Sequence, residues 1–242
     1  MRKVIQKIAN ALGYHVSRHA GSVLSKDFAD IQRLCSGLEA PVIFDVGAHH
    51  GEVTAQFRML FPGAEIYAFE PFVESYEIVK KKTATDARVH AFNFGLSDKE
   101  GVLAFHSNKS SATNSLLPTD ESSEGIWRSG QLETQEIIEA RFRTLDSVIA
   151  DLGVDRISVL KLDVQGAEAL VIRGAENACR LGKIGLIYTE IITQPTYIGQ
   201  KRFDESLAIY YDHGFDLHSI YNLSLTPQGC LRQMDAIFVW RG

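Results

Sequence analysis

The chain has 242 residues, 45% of them hydrophobic and 23% charged, with a formal net charge of −5. This is the composition of a globular protein of about one ordinary domain, with ample material for a core. It offers no global positive field for a nucleic-acid backbone, no apolar run of membrane-spanning length and no apolar secretion signal. The expectation is a cytoplasmic protein with no nucleic-acid partner and no transmembrane segment. Cys35, Cys179 and Cys230 are widely scattered with no C-x-x-C, which reads as reduced, structural thiols.

Residues 1–12 place Val4, Ile5, Ile8, Ala9 and Leu12 on one helical stripe, with Arg2, Lys3 and Lys7 opposite. That stripe suits packing on the domain or on a second copy in a homodimer; contact with an anionic membrane is the less favoured reading. His15 and His19 share helical spacing but have no acid or cysteine nearby to complete a metal site. A second short helix over 28–38 leads into Pro41, so 1–40 reads as a helical extension and 41–242 as the main domain.

Residues 42–46 (V-I-F-D-V) form an apolar, β-branched run that suits a strand buried on both faces. Gly47 and Gly51 bracket the turn that follows, and 52–60 returns to helical spacing. Strand, glycine turn and helix make a ligand cradle, because glycines allow close backbone approach and the first helical N–H groups are free. A second apolar strand, 64–69, ends in Glu70-Pro71, where a carboxylate can accept hydrogen bonds from a ribose diol. Asp45, Gly47, Gly51 and Glu70 together look like the cofactor half of a class I S-adenosylmethionine-dependent methyltransferase.

The rest alternates in the same manner. A helix is expected over 72–82, a third strand over 89–96 ending in Asn93 and Gly95, and after a turn at 97–101 a strand over 102–105 as its hairpin partner. Residues 107–135 are polar and serine-rich, too long for a connection, and read as a lid or substrate loop. An edge strand over 136–143 precedes a helix over 144–152 capped by Thr144. A fourth buried strand, 157–162, leads to Asp163; helix 169–179 and a fifth strand, 184–189, lead to Glu190. After helix 204–213, two strands at 215–221 and 235–240 have no helix between them and must pair antiparallel. The pattern is a doubly wound α/β sheet, whose ligands sit at the carboxyl ends of the strands. Asp45, Glu70, Asn93, Asp163 and Glu190 all fall at or near such ends.

The blocks V-I-F-D-V-G-A-H-H-G, A-F-E-P, T-L-D-S-V and V-L-K-L-D-V-Q-G-A-E with V-I-R-G-A resemble the FkbM family of S-adenosylmethionine-dependent methyltransferases. The resemblance spans residues 42–240 and implies a Rossmann-like, seven-stranded methyltransferase sheet, S-adenosylmethionine as cofactor and O-methylation of a sugar, polyketide or other small-molecule hydroxyl. Carried over, it assigns cofactor contacts to Asp45, Gly47, Ala48, Gly51, Glu70, Pro71, Phe72, Asn93, Gly95 and Asp163. Asp163 and Glu190 are the candidate catalytic bases, and no metal site is expected. Two residues depart from the family: His49 stands where asparagine is usual, and reads as an exposed loop histidine; Gln165 stands where glutamate is usual, and removes a charge beside the site. A non-catalytic S-adenosylmethionine-binding module and an RNA methyltransferase are the alternatives. A nucleotide-dependent oxidoreductase is disfavoured by the missing middle glycine. Loops 107–135 and 193–202, with Tyr197 in the second, are the candidates for covering the acceptor.

Overall fold

A computed structural model describes residues 24–123, 125–127 and 130–242. The amphipathic stripe of residues 1–12, His15 and His19 therefore lie outside the described residues. The chain divides into two units, Met1–Leu34 and Cys35–Gly242. In the first, helix α1 (Lys26–Leu34) carries the Asp30–Arg33 ion pair. It stops short of the expected 28–38 span because a turn at 35–37 follows, with Gly37 at φ 95°.

The second unit is built on strands β1 (Val42–Val46), β2 (Glu65–Phe69), β3 (Val89–Phe92), β7 (Ile157–Leu162), β8 (Ile184–Ile192), β9 (Phe215–Leu225) and β10 (Leu231–Trp240). They form a seven-stranded sheet in the order β3-β2-β1-β7-β8-β10-β9, with β10 antiparallel to both neighbours and all other pairs parallel. Helices α2 (Glu52–Leu60), α3 (Val73–Thr83), α4 (Leu145–Leu152), α5 (Glu168–Arg173), α6 (Glu176–Arg180) and α7 (Phe203–Asp212) make the crossovers. The apolar runs predict the buried centre: Ile43, Phe44, Val46, Val159, Leu160 and Leu162 are completely shielded from solvent. Each such side chain contributes about 1.5–3 kcal/mol through burial. Thr144 caps α4 by accepting the Ser147 N–H, as its position in the sequence predicts. The doubly wound sheet with its antiparallel C-terminal pair matches the sequence reading.

Several boundaries differ, each for a physical reason. The third strand breaks at Asn93, whose side-chain amide donates to the carbonyls of Glu70 (3.0 Å) and Pro71 (3.2 Å) and so ends the ladder. Gly95–Leu96 (β4) then joins a separate three-stranded sheet with β5 (Gly101–Asn108) and β6 (Thr134–Arg143) in the order β4-β6-β5. The strand expected at an edge over 136–143 is thus the central one, and β5 pairs with it rather than with the third strand. Gly95 has no room for a side chain: a Cβ there would stand 2.3 Å from the Phe142 ring. The helix expected over 169–179 is broken at Gly174, where a Cβ would meet the Ser97 carbonyl at 2.1 Å. Strand β8 runs on past Glu190 to Ile192 because β10 continues to pair with it, Asp235 opposite Glu190. Among the described residues no helix is long and apolar enough to cross a membrane.

Candidate active site

At the carboxyl ends of β1, β2 and β7 the chain forms an open cleft lined by Gly47, Glu70, Asp163 and Gln165 among others. Its floor is the turn after β1. Gly47 at φ 75° passes so close to the next strand that a Cβ would lie 1.9 Å from the Asp163 carbonyl oxygen. Any other residue would force β1 and β7 apart. Gly51, at φ 80°, caps α2 from the left-handed region; it and Ala48 shape the turn from behind and do not line the cleft.

Beneath the floor lies a buried charge cluster. Lys161, one residue from the carboxyl end of β7, donates to the Gly47 carbonyl at 2.6 Å and the Val46 carbonyl at 3.3 Å. Its ammonium stands 3.0 Å from Asp45 Oδ1 and 3.8 Å from Asp163 Oδ2. Burial by itself would weaken the charged form, but the carboxylates of Asp45 and Asp163 hold the lysine above its ordinary pKa. Asp45 also accepts the Thr54 hydroxyl at 2.5 Å and is fully buried. It orients the turn from inside the protein and does not line the cleft.

Glu70 does line it. Its two carboxylate oxygens accept the backbone N–H of His49 (2.8 Å) and of Phe72 (2.9 Å), joining the first turn to the second. Burial pushes its pKa up to about 7, against the lowering effect of those two hydrogen bonds. Pro71 and Gly95 also face the cleft, whereas Asn93 stands behind Glu70 and Pro71 as a backbone brace. Phe72 packs against Phe105, Ala140 and Phe142 of the small sheet.

The opposite wall is a hydrogen-bonded chain. Gln165, at φ 54°, donates from Nε2 to Asp163 Oδ1 (2.8 Å) and to Glu190 Oε2 (3.0 Å). Its Oε1 faces the Tyr197 hydroxyl at 3.0 Å. Only an amide can donate to two carboxylates while accepting on its other side; glutamate there would add a third acid to the pair. Asp163 lines the cleft with a side chain 41% exposed. Glu190 does not: it sits behind Gln165 with Glu168 in a second hollow, and is also held by Gln233. Burial, with the Asp163 and Glu168 carboxylates nearby, holds Glu190 well above the usual carboxylate range. Glu168 accepts the Val164 and Gly166 N–H groups at the start of α5, and burial pushes it up to about 7.

Residues 111–116 of the 107–135 segment fold over this cleft. Ser111, Ala112, Asn114 and Leu116 line it, and His49 Nε2 lies 2.9 Å from Ser111 Oγ. Ser115 Oγ donates to the Gln165 carbonyl at 2.7 Å, Trp127 Nε1 to Thr196 Oγ1 at 2.9 Å, and Tyr197 OH lies 3.0 Å from the Thr113 carbonyl. The two loops read as covers are therefore tied to each other and to the strand ends. Tyr197 is 2% exposed, a buried cross-piece.

Four site residues escaped the sequence reading. His49 is not an exposed loop residue: half-buried at φ 49°, it lines the cleft. Burial first, and the stacked His50 ring 3.7 Å away second, lower its pKa and favour the neutral ring. Lys161 was visible as a lysine inside a buried strand, an uncommon place for one. Ser111 and Asn114 carried no periodicity that could mark them. Among the described residues, His49, His50 and Glu52 bring their ligand atoms within 4.8 Å of one another. Two of the three are engaged otherwise, Glu52 by Lys82 at 2.9 Å and His49 by Ser111.

A doubly wound seven-stranded sheet ending in an antiparallel pair, with a glycine turn and an acid at the next strand end, defines a methyltransferase fold. The Methyltransferase FkbM domain model matches residues 45–217, and the chain belongs to that family. It is 30% identical over 168 residues to 2-O-methyltransferase NoeI of Sinorhizobium fredii, covering 66% of this chain and 67% of that one. It is 28% identical over 226 residues to 31-O-demethyl-FK506 methyltransferase FkbM of Streptomyces tacrolimicus, covering 83% and 84%. Among solved structures, the Methanococcus jannaschii fibrillarin pre-rRNA processing protein shares the fold, with a TM-score of 0.51 at 13% identity over 84% of this chain and 68% of that one. The chain is a methyltransferase, and the methyl donor of its family is S-adenosylmethionine.

Proposed function

We propose that the protein transfers a methyl group to a hydroxyl oxygen of a small-molecule acceptor, a sugar or polyketide hydroxyl being the favoured class. The observation that carries this reading is Asp163: a carboxylate exposed on the cleft, with one oxygen held by Gln165 at 2.8 Å and the other 3.8 Å from Lys161. The two relatives named as O-methyltransferases support the choice of oxygen. In this reading the methyltransferase domain is 41–242, after an N-terminal extension.

The residues present fit the methyl donor. Glu70 keeps lone pairs free for a diol beyond those used by the His49 and Phe72 amides, and Gly47 keeps the floor flat where a side chain would not fit. Bound S-adenosylmethionine supplies a methyl carbon already activated on a sulfonium, so the protein has little covalent chemistry to perform. Asp163 would accept the acceptor's hydroxyl proton as the methyl group is transferred. Gln165 holds Asp163 Oδ1 in place, and Lys161 fixes the floor through the Gly47 carbonyl, which together align the reacting groups. Glu190, behind Gln165, serves to hold that amide rather than to meet the acceptor.

Isothermal titration with S-adenosylmethionine, then radiolabelled methyl transfer to a panel of sugars and polyketide alcohols, tests this. Saturable binding with transfer to an alcohol, abolished in Asp163→Asn while binding is retained, is the expected result. Binding with transfer only to amines or carboxylates would overturn the hydroxyl assignment.

A further inference from the structure

Among the described residues, the cleft holds one buried side-chain polar group with no partner. Asn114 is 9% exposed and lines the cleft, and its Nδ2 has no hydrogen-bond partner. The amide cannot be turned round, because Oδ1 accepts the Asn108 backbone N–H at 2.7 Å. A flip would set an N–H against an N–H. The unused group is therefore a donor only, and a buried donor without a partner is unfavourable until something fills its place.

Its surroundings say what it awaits. Ser115 is bridged antiparallel to His106, which sets Leu116 opposite Phe105. Asn114 and Leu116 both line the cleft. Leu116 packs with Phe105 and Phe142 into an apolar wall. Leu96 and Gly95 also line the cleft, as do Glu70 and Asp163. An apolar wall beside a single fixed N–H donor suits a flat heteroaromatic ring bearing a lone-pair nitrogen.

We infer that Asn114 Nδ2 donates a hydrogen bond to a ring nitrogen of the cofactor's adenine, making the 107–135 segment part of the cofactor site and not only a cover for the acceptor. This rests on the cofactor assignment above. It makes cofactor binding depend on the segment being folded over, so that adenine recognition and closure are one event.

Titration calorimetry on the full chain tests it, using S-adenosylhomocysteine and three analogues in which N1, N3 or N7 of adenine is replaced by C–H. Asn114→Asp keeps Oδ1 for Asn108 and the shape of the side chain but removes the donor; thermal melting checks that it folds, and Asn114→Ser serves as a second variant. The expected result is about tenfold weaker S-adenosylhomocysteine binding in both variants. One analogue alone should bind the wild type about tenfold more weakly and show no further loss with either variant. Equal affinity of wild type and variants, or undiminished sensitivity to the substitutions with all three analogues, overturns the inference while leaving the cofactor assignment intact. Failure of the wild type to bind S-adenosylhomocysteine at all would overturn both.

Discussion

The Lys161 ammonium and the Asp45 carboxylate meet at 3.0 Å inside the sheet, with 5% and 0% of their side chains exposed. A pair this deep is costly to break from one side, because the survivor is left charged without a partner. Lys161→Met should therefore lose about 3–5 kcal/mol in urea unfolding, and the double change with Asp45→Asn should recover part of it. A double-variant loss equal to the sum of the two single losses would mean the two groups act independently.

Gly47 is the narrowest point of the site. Gly47→Ala adds a Cβ where the Asp163 carbonyl already stands, at 1.9 Å, and in a backbone region that disfavours side chains. The backbone strain alone is of order 1–3 kcal/mol, and the collision adds to it. Melting should drop by several degrees and S-adenosylhomocysteine binding should be lost, whereas Gly199→Ala, at an open loop position, should leave binding unchanged.

Glu70 and Glu168 are each pushed up to about 7 from an ordinary 4.5. Between those values the folded chain holds more protons than the unfolded chain, so the contribution of these two groups to stability declines as pH rises. It is fully present below about 4.5 and gone above about 7. Urea titrations across that window should show the decline, and Glu70→Gln should flatten its share. Cofactor affinity should move the other way, rising with pH as the Glu70 carboxylate ionises and becomes a better acceptor for a diol. An affinity independent of pH in the wild type would contradict the role given to Glu70.

Tyr197→Phe removes the hydroxyl set between the Thr113 carbonyl and Gln165 Oε1, each at 3.0 Å. The expected loss of stability is about 1 kcal/mol, with a larger effect on limited proteolysis within 107–135. A cleavage rate matching the wild type would show that other contacts hold the segment.

The main sheet was legible because strands such as 42–46 and 157–162 are buried on both faces, and continuous apolar runs have few other uses. That Glu70 and Asp163 line the cleft was legible because the carboxyl end of a parallel strand is where clefts open in such a sheet. What escaped detection depends on contacts distant in sequence. The small sheet exists because Gly95 admits the Phe142 ring, a fit that no periodicity around either residue announces. Asn93 looked like a ligand residue by position, but its amide is taken by backbone carbonyls across the sheet. Asp45 likewise looked poised at the turn, and only the depth of Lys161 draws it inward. His49 and Asn114 become site residues through the fold of a polar segment with no pattern of its own.

Three of the bonds that fasten the 107–135 segment, from Ser115, Trp127 and Tyr197, join uncharged groups, and one charged group, Arg232, adds a bond to the Ile126 carbonyl and lies over the Trp127 ring. Neutral clasps are not screened by electrolyte, and their partners do not titrate near neutrality. The breathing of this enzyme, and with it the exchange of spent donor for fresh, should then keep its pace from dilute buffer to concentrated salt. Amide hydrogen exchange of the segment at low and high ionic strength reads that pace directly, and an acceleration with salt would place the fastening in the charged pairs instead.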